Sequence, residues 1–385
     1  MTVLSIFDII AYTTIKEARA LPKKYITQDT LKKKNLADIL LLILEKRQTT
    51  RREIEYETGF SWGTVSSNVT LLLEKEYITE EKSERSAAAG RSTYTLKPCG
   101  NKKVGIGIDI CRSGFTCEVV GIDFVVKKKL TAEFGEAVQS KVIGRAEELC
   151  REAALWCEKN GMQPIGIGIA GQGYVDGKLG IYMNNYEVPD WKPCNIKRHF
   201  ENVFNLPVYL GHDPKCMLIA EMTREKYDDC VLVRLDDGIG MSVALDGRII
   251  DDTERFELGH TVIEPDGKLC VCGKRGCVEA YCSRKAIAEA AGVLPNEISE
   301  APEKYREFTV EAGKRLALPL HNICVIFNPK KLIFTGTASR ITELTDEACA
   351  YLDKSKVTVK IKPEVSAAYG AAVESIRTAI SSFDI

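Results

Sequence analysis

The sequence predicts an α/β protein in which a small helical unit precedes a larger unit of buried strands and helices. Three observations carry this. Leu36, Ile39, Leu40, Ile43 and Leu44 recur at helical spacing, which gives one helix an apolar face. After Lys103 the pattern changes to clustered and alternating β-branched residues, VGIGIDICRSGFTCEVVGIDF, as buried strands require. Between 257 and 282 one His and three Cys sit close together in a glycine-punctuated stretch, ELGHTVIEPDGKLCVCGKRGCVEAYC.

Composition bounds the possibilities. The chain has 385 residues, enough for two or three compact domains. It is 45% hydrophobic and 28% charged, ordinary values for a soluble globular protein. The formal net charge is −1, so any contact with nucleic acid must come from a local basic patch. The 14 cysteines show no disulfide-framework spacing, and a reducing cytoplasm is expected. The N-terminus has no basic stretch before its short apolar run and no clear cleavage site, so no signal peptide is expected. No apolar segment is long enough to span a bilayer, and no membrane partner is expected.

Residues 1–29 form an N-terminal extension in which Leu4, Ile6, Phe7, Ile9 and Ile10 fit an extra packing helix. A DNA-binding unit is expected over 30–98. Its first helix carries the Leu36–Leu44 face. The stretch TTRREIEYETGFSWGTVSSNVTLLLEKEYI then reads as two helices joined by a tight turn. Thr49 or Thr50 caps the first, Ile54 supplies its buried face, Gly59 permits the turn and Ser61 caps the second. Val65, Val69 and Leu72 line the inner face of that second helix. Gly63 and Ser67 point away, flanked by Thr64 and Ser66. Small polar residues at an exposed helix N-terminus suit close approach to a DNA groove, so Trp62, Gly63, Thr64, Ser66 and Ser67 are candidate contact residues. A strand at Ile78, a flexible tip and a strand at Tyr94–Leu96 then make a β-wing.

Residues 99–385 read as the larger unit. Residues 141–159 form a helix with Ala146, Leu149, Ala153 and Trp156 on one stripe. PIGIGIAGQGYVDG is a buried strand ending in a glycine-rich loop. LPVYLGHDPKCMLIAEM is a strand, then His212-Asp213, then a helix. CVLVRLDDGIGMSVALDGRII is a hairpin. NICVIFNPKKLIFTGTAS is a helix end, a strand and a glycine turn.

In the 257–282 stretch, His260, Cys270, Cys272 and Cys277 are a donor set suited to a closed, tetrahedral Zn²⁺. The Cys-Val-Cys-Gly-Lys-Arg-Gly-Cys run bends at its glycines, so its three sulfurs can converge. A set of buried free cysteines would leave that spacing and punctuation unexplained. Glu257 and Glu279 frame the loop, which suggests that it supports a binding site.

This stretch, Glu-x-Gly-His followed by Cys-x-Cys-Gly-x-x-Gly-Cys-x-Glu, resembles the signature of the ROK family of repressors, uncharacterised open reading frames and sugar kinases. The resemblance covers about residues 30–380. It implies a two-lobed, actin-like (ribonuclease H-like) sugar-kinase fold preceded by a winged helix-turn-helix. It implies that His260 and the three cysteines bind zinc, while Glu257, Glu279 and His260 also contact sugar hydroxyls. Asp213 matches the kinase general base, and His212 stands where the family has Asn. Asn184 and Asn185 fall on a sugar-facing loop of the family. Gly90-Arg91 matches a Gly-Arg pair of the family's linker, and an Arg on such an arm can enter a narrow minor groove.

The phosphate loops depart from the kinase pattern. Phosphate loops need glycine for close backbone approach. Where the kinases have Asp-x-Gly-Gly-Thr, this chain has Asp109-Ile110-Cys111-Arg112-Ser113. Where they have Gly-Thr-Gly-Ile-Gly, it has Asp236-Asp237-Gly238-Ile239-Gly240. Two carboxylates facing a triphosphate would repel it by about 1–4 kcal/mol in partly wet surroundings. The adenosine-side Gly-Gly survives only as Gly336-Thr337. The expectation is therefore a homodimeric or homotetrameric, sugar-responsive regulator, a repressor, that binds double-stranded operator DNA and neither binds ATP nor acts as an enzyme. The alternatives are an active ATP-dependent sugar kinase and a repressor governed by a protein partner. A hinge is expected at about 85–103.

Overall fold

The computed structural model describes residues 28–82, 94–111, 114–250 and 256–382. The N-terminal unit holds α1 (Gln28–Lys46), α2 (Arg51–Thr58), α3 (Trp62–Glu74) and an antiparallel hairpin of β1 (Ile78–Lys82) with β2 (Tyr94–Pro98). Local sequence dictates these boundaries. Thr50 caps α2 in a reciprocal box with Glu53. Gly59 takes a left-handed turn at φ 68°, which a residue with a Cβ rarely adopts. Ser61 caps α3 by accepting from the Thr64 amide. Ile54, Val65, Val69 and Leu72 close a core against Leu36, Ile39, Leu40 and Ile43. Thr49 pairs with Leu96, which ties the wing back to the turn after α1. This is a winged helix-turn-helix. The wing tip, with Gly90 and the candidate Arg91, lies outside the described residues, as does nearly all of the 1–29 extension.

The larger unit contains two five-stranded sheets of one design. The first uses β3 (Lys103–Cys111), β4 (Gly114–Gly121), β5 (Val126–Ala132), β6 (Gln163–Gly171) and, after the small hairpin β7 (Tyr174–Asp176) and β8 (Ile181–Asn184), β9 (Val208–His212). Its order is β5-β4-β3-β6-β9, with β3–β4 and β4–β5 antiparallel and β3–β6 and β6–β9 parallel. The second uses β10 (Cys230–Leu235), β11 (Ile239–Leu245), β12 (Arg248–Ile249), β13 (Lys331–Thr335) and β14 (Thr358–Ile361) in the order β12-β11-β10-β13-β14, with the same polarity pattern. Two such lobes make the actin-like α/β fold.

Helices cover the sheets. α4 (Gln139–Lys159) buries Ala146, Leu149 and Ala153 against the first sheet. Cys150 and Cys157 share that face, and Trp156 is only half-buried, so the buried stripe is rotated from the expected one. α5 (Ile196–Phe204) precedes β9, and α6 (Asp213–Arg224) follows it. The second lobe adds α7 (Glu279–Cys282), α8 (Arg284–Ala291), α9 (Pro295–Glu300), α10 (Arg306–Phe327) and α11 (Thr342–Ala348). The C-terminal α12 (Ala367–Ser381) returns to the first lobe. It lies so close that a Cβ on Gly107 would stand 1.9 Å from the Ala368 carbonyl oxygen, and one on Gly168 2.0 Å from that of Ala371. The alternating glycines of VGIGID and PIGIGIA are therefore the seat of this helix.

The winged helix does not dangle from the lobes. Its apolar residues share one buried cluster with α6 and with Ile376 and Ile380 of α12. The link to the lobes is shorter than the expected hinge. Residues 94–98 belong to the wing, the Cys99 amide donates to the Tyr77 carbonyl at 2.9 Å, and β3 begins at Lys103.

Candidate functional site

A cleft of about 460 Å³ opens between the two lobes. Its walls come from separate elements: Gln172 and Gly173 after β6, Tyr186 and Glu187 after β8, His212 and Asp213 at the β9–α6 junction, and Arg234 on β10. Glu257, His260 and Glu279 come from the 257–282 stretch.

Asp213 opens α6 and is 2% exposed. A carboxylate in the first turn complements the positive end of the helix. It accepts a hydrogen bond from Arg234 through Oδ2, and its Oδ1 lies 3.3 Å from His212 Nε2. Arg234 is itself buried. It donates to Cys111 Sγ at 3.2 Å and stands 3.8 Å from Asp236 Oδ2. Burial pulls its pKa down, but Cys111, Asp213, Asp236 and Asp109 outweigh this and hold it charged.

Glu279 accepts from the Ile239 amide at 2.9 Å, which fixes it to the β10–β11 turn. Burial raises its carboxyl above the usual range, against the pull of that amide and of His260. His260 meets Tyr186 edge-on, with ring centres 5.8 Å apart. Its Nδ1 lies 3.6 Å from Cys270 Sγ, and Cys272 and Cys277 sulfurs are 3.7 Å apart. All four donor atoms of His260, Cys270, Cys272 and Cys277 fall within 4.8 Å of one another. Tetrahedral Zn–S bonds of about 2.3 Å require sulfurs about 3.8 Å apart, so the donor set fits such an ion. A bound ion would join both ends of the loop, and His260 would keep Nε2 as its remaining polar ring atom.

Two expectations change here. Asn184 and Asn185 are not among the cleft-lining residues. Asn185 is 1% exposed; its Nδ2 donates to Tyr182 Oη at 3.1 Å and its Oδ1 accepts from the Glu187 amide at 3.0 Å. It shapes the turn that presents Tyr186 and Glu187. Asn184 ends β8, where it pairs with Tyr174. Asp236 and Asp237 are not bare carboxylates either. Arg284 Nε donates to Asp237 at 2.7 Å, its Nη2 is 3.5 Å from Asp236, and the Thr337 hydroxyl donates to Asp236 at 2.7 Å. Arg234 and Arg284 therefore offset the charge that repulsion would need. These side chains instead occupy the acceptors of the turn. Arg112 and Ser113 lie outside the described residues.

In the winged helix, Trp62, Gly63 and Ser67 are exposed, and Thr64 and Ser66 are half-buried. The Thr64 hydroxyl lies 2.9 Å from that of Ser61, and Ser67 Oγ donates to the Thr64 carbonyl at 3.1 Å.

Sequence reasoning missed Tyr186, Glu187 and Arg234. For Arg234 a signal existed: it is the one charge in CVLVRL, a strand otherwise readable as fully buried. Tyr186 and Glu187 carried none, because nothing local shows which way a loop residue faces.

The chain is similar to known proteins along most of its length. The xylose repressor of Bacillus spizizenii is 24% identical over 374 residues, which cover 89% of this chain and 91% of that protein. The glucokinase of Thermotoga maritima is 28% identical over 269 residues, 62% of this chain and 83% of that protein. A solved ROK family transcriptional regulator, a homolog of the E. coli MLC protein, shares the fold with a TM-score of 0.76 at 20% identity, covering 91% of this chain and 97% of its own. Residues 106–371, both lobes and the four-ligand loop together, match the ROK family, and the chain belongs to it.

Proposed function

We propose that this chain is a sugar-responsive, DNA-binding transcriptional regulator, a repressor, whose kinase-like lobes sense a sugar without phosphorylating it. One observation carries the reading: a winged helix packs into the same buried core as elements of the lobes that hold a carboxylate-lined cleft. The domains are the extension at 1–29, the DNA-binding unit at 30–98 and the sensor at 99–385. In the sensor, Asp213, Glu257 and Glu279 accept sugar hydroxyls, and carboxylates suit that task because each accepts several O–H donors. His260 and His212 complete the ring of polar groups. Zn²⁺ held by His260, Cys270, Cys272 and Cys277 gives the loop its shape; as a closed four-ligand site it supplies rigidity rather than catalysis. The α3 residues Trp62, Gly63, Thr64, Ser66 and Ser67 meet the operator, with Arg91 on the wing beside them. The protein acts in the cytoplasm, and among the described residues no helix is long and apolar enough to cross a membrane. A homodimer or homotetramer would place two winged helices on an inverted repeat.

The glucokinase likeness keeps a second reading in play, an active sugar kinase. A thermal-shift screen with D-xylose, D-glucose, N-acetylglucosamine and their phosphates, with and without Mg·ATP, separates the two. The regulator reading expects one sugar to raise the melting temperature, about 2.7 kcal/mol of added stability at 100 times its dissociation constant. It expects no further rise with ATP and no ADP. Sugar-dependent ADP release that Asp213→Ala abolishes would overturn it.

A further inference from the structure

Arg47 joins the winged helix to the lobes at one point. It occupies the turn between α1 and α2 with φ 65°, a left-handed conformation rare for a residue with a Cβ. Such backbone persists where surrounding contacts over-determine it, and it favours function when those contacts are specific. Here they are specific. The guanidinium lies 4.2 Å from the ring centre of Phe124, donates to the Asp123 carbonyl, and donates to the Thr223 carbonyl at 3.3 Å. Phe124 is also held by α12. Its carbonyl accepts from the Tyr369 hydroxyl of α12 at 2.9 Å, and Arg377 faces its ring. One side chain of the DNA-binding unit thus touches the β4–β5 turn and α6, at a junction braced by α12.

Thr223 is the important partner. It lies in the last turn of α6, where carbonyls lack partners within the helix and a cation is favoured by the helix dipole. The other end of the same helix is Asp213, on the wall of the cleft. Twelve residues of α-helix span about 18 Å, at 1.5 Å each. α6 is straight-jacketed by its neighbour, because a Cβ on Gly370 of α12 would stand 1.7 Å from the Cys216 carbonyl oxygen. Backbones in such contact move together, since packed interiors transmit displacement rather than absorb it. A ligand that shifts Asp213 against Arg234 and Glu279 therefore displaces Thr223, and with it the carbonyl that Arg47 holds.

We propose that Arg47 is the positioning residue that transmits the state of the cleft to the winged helix through α6. The proposal rests on the reading that a sugar binds at Asp213 and DNA at α3. Arg47 touches neither ligand. Its loss should uncouple the two sites and leave each able to bind.

Arg47→Gly is the informative variant, because glycine takes φ 65° without strain and removes the guanidinium. The DNA probe is a duplex selected by the wild-type protein from a random pool, and the sugar probes are D-xylose, D-glucose and N-acetylglucosamine. In the wild type one sugar should change operator affinity by about tenfold or more, whereas in Arg47→Gly it should change it by less than about twofold, with affinity for DNA alone and for sugar alone kept. Arg47→Lys, which keeps the charge but not the paired donors, should fall between them. Amide exchange gives a DNA-free readout. Sugar should alter protection along α6 in both proteins, but in the α1–α2 turn only in the wild type. An Arg47→Gly protein with the full sugar response would overturn the proposal. If sugar binds the wild type yet leaves its operator affinity unchanged, the regulator reading itself fails, and the proposal with it.

Discussion

At the scale of single residues, the cleft is governed by Arg234. A buried ion pair contributes little net stability against an apolar pair, but removing one partner strands the other. Arg234→Ala leaves Asp213 and Asp109 without their cation. It should destabilise the protein by about 3 kcal/mol, and adding Asp213→Asn should recover part of that loss. Urea unfolding of the single and double variants measures both; equal loss in each would mean that Arg234 acts through packing alone. Asp109 supplies a pH dependence. Burial, then repulsion from Asp213, raise its pKa to about 7 against the pull of Arg234, and its Oδ1 has no hydrogen-bond partner among the described residues. The unfolded chain releases this proton near 3.8, as an ordinary aspartate does, and the folded chain only near 7. Between those values the folded state holds more protons, so this group makes stability fall as pH rises from about 4 to about 7, and no further above that. Asp109→Asn should accordingly raise the melting temperature above pH 7 and barely change it at pH 4. A benefit that does not vary with pH would contradict the assignment.

At the scale of elements, the four-ligand loop should stand or fall with its metal. Burial pushes the Cys270 thiol up to about 12 and raises Cys277 as well, so without an ion both hold their protons at neutral pH. A metal must displace those protons, and its retention weakens as pH falls. Cys277→Ala should lose the ion by elemental analysis and weaken sugar binding through Glu279, two residues on. A metal-free protein that still binds sugar at full affinity would sink the structural role. This loop was legible in the sequence because its ligands are close in the chain and its glycines mark the bends. The winged helix was legible for a similar reason: Thr50, Gly59 and Ser61 each satisfy a purely local demand of a cap or turn. The strands showed in their β-branched runs, but the alternating glycines of β3 and β6 answer to α12, more than 200 residues away, and no local pattern announces that. The cleft was half legible. Asp213 and Glu279 could be placed by motif, whereas the inward turn of Tyr186 and the pairing of Arg284 with Asp237 arise only when distant elements meet.

At the scale of the whole molecule, the winged helix shares one buried core with elements of both lobes. Asp213 stands at the head of α6, directly after β9 of the first sheet, whereas Glu257, His260 and Glu279 belong to the second lobe. A sugar held by both sets bridges the lobes and favours whichever arrangement brings them together. The operator favours whichever arrangement presents the winged helix correctly to it. A ligand shifts such an equilibrium only by its differential affinity for the two states. If the closed lobes misplace the winged helices, sugar weakens operator binding, and linkage then requires the operator to weaken sugar binding by the same factor. Titration calorimetry of the sugar into protein alone, and into protein saturated with operator, should give dissociation constants that differ by about five- to 150-fold, the usual range for such coupling. Glu279→Ala should remove one cleft carboxylate together with its bond to the Ile239 amide. That variant should still bind operator but lose the sugar response. Identical sugar affinities with and without operator would show that the cleft and the winged helix, though joined in one core, do not share a switch.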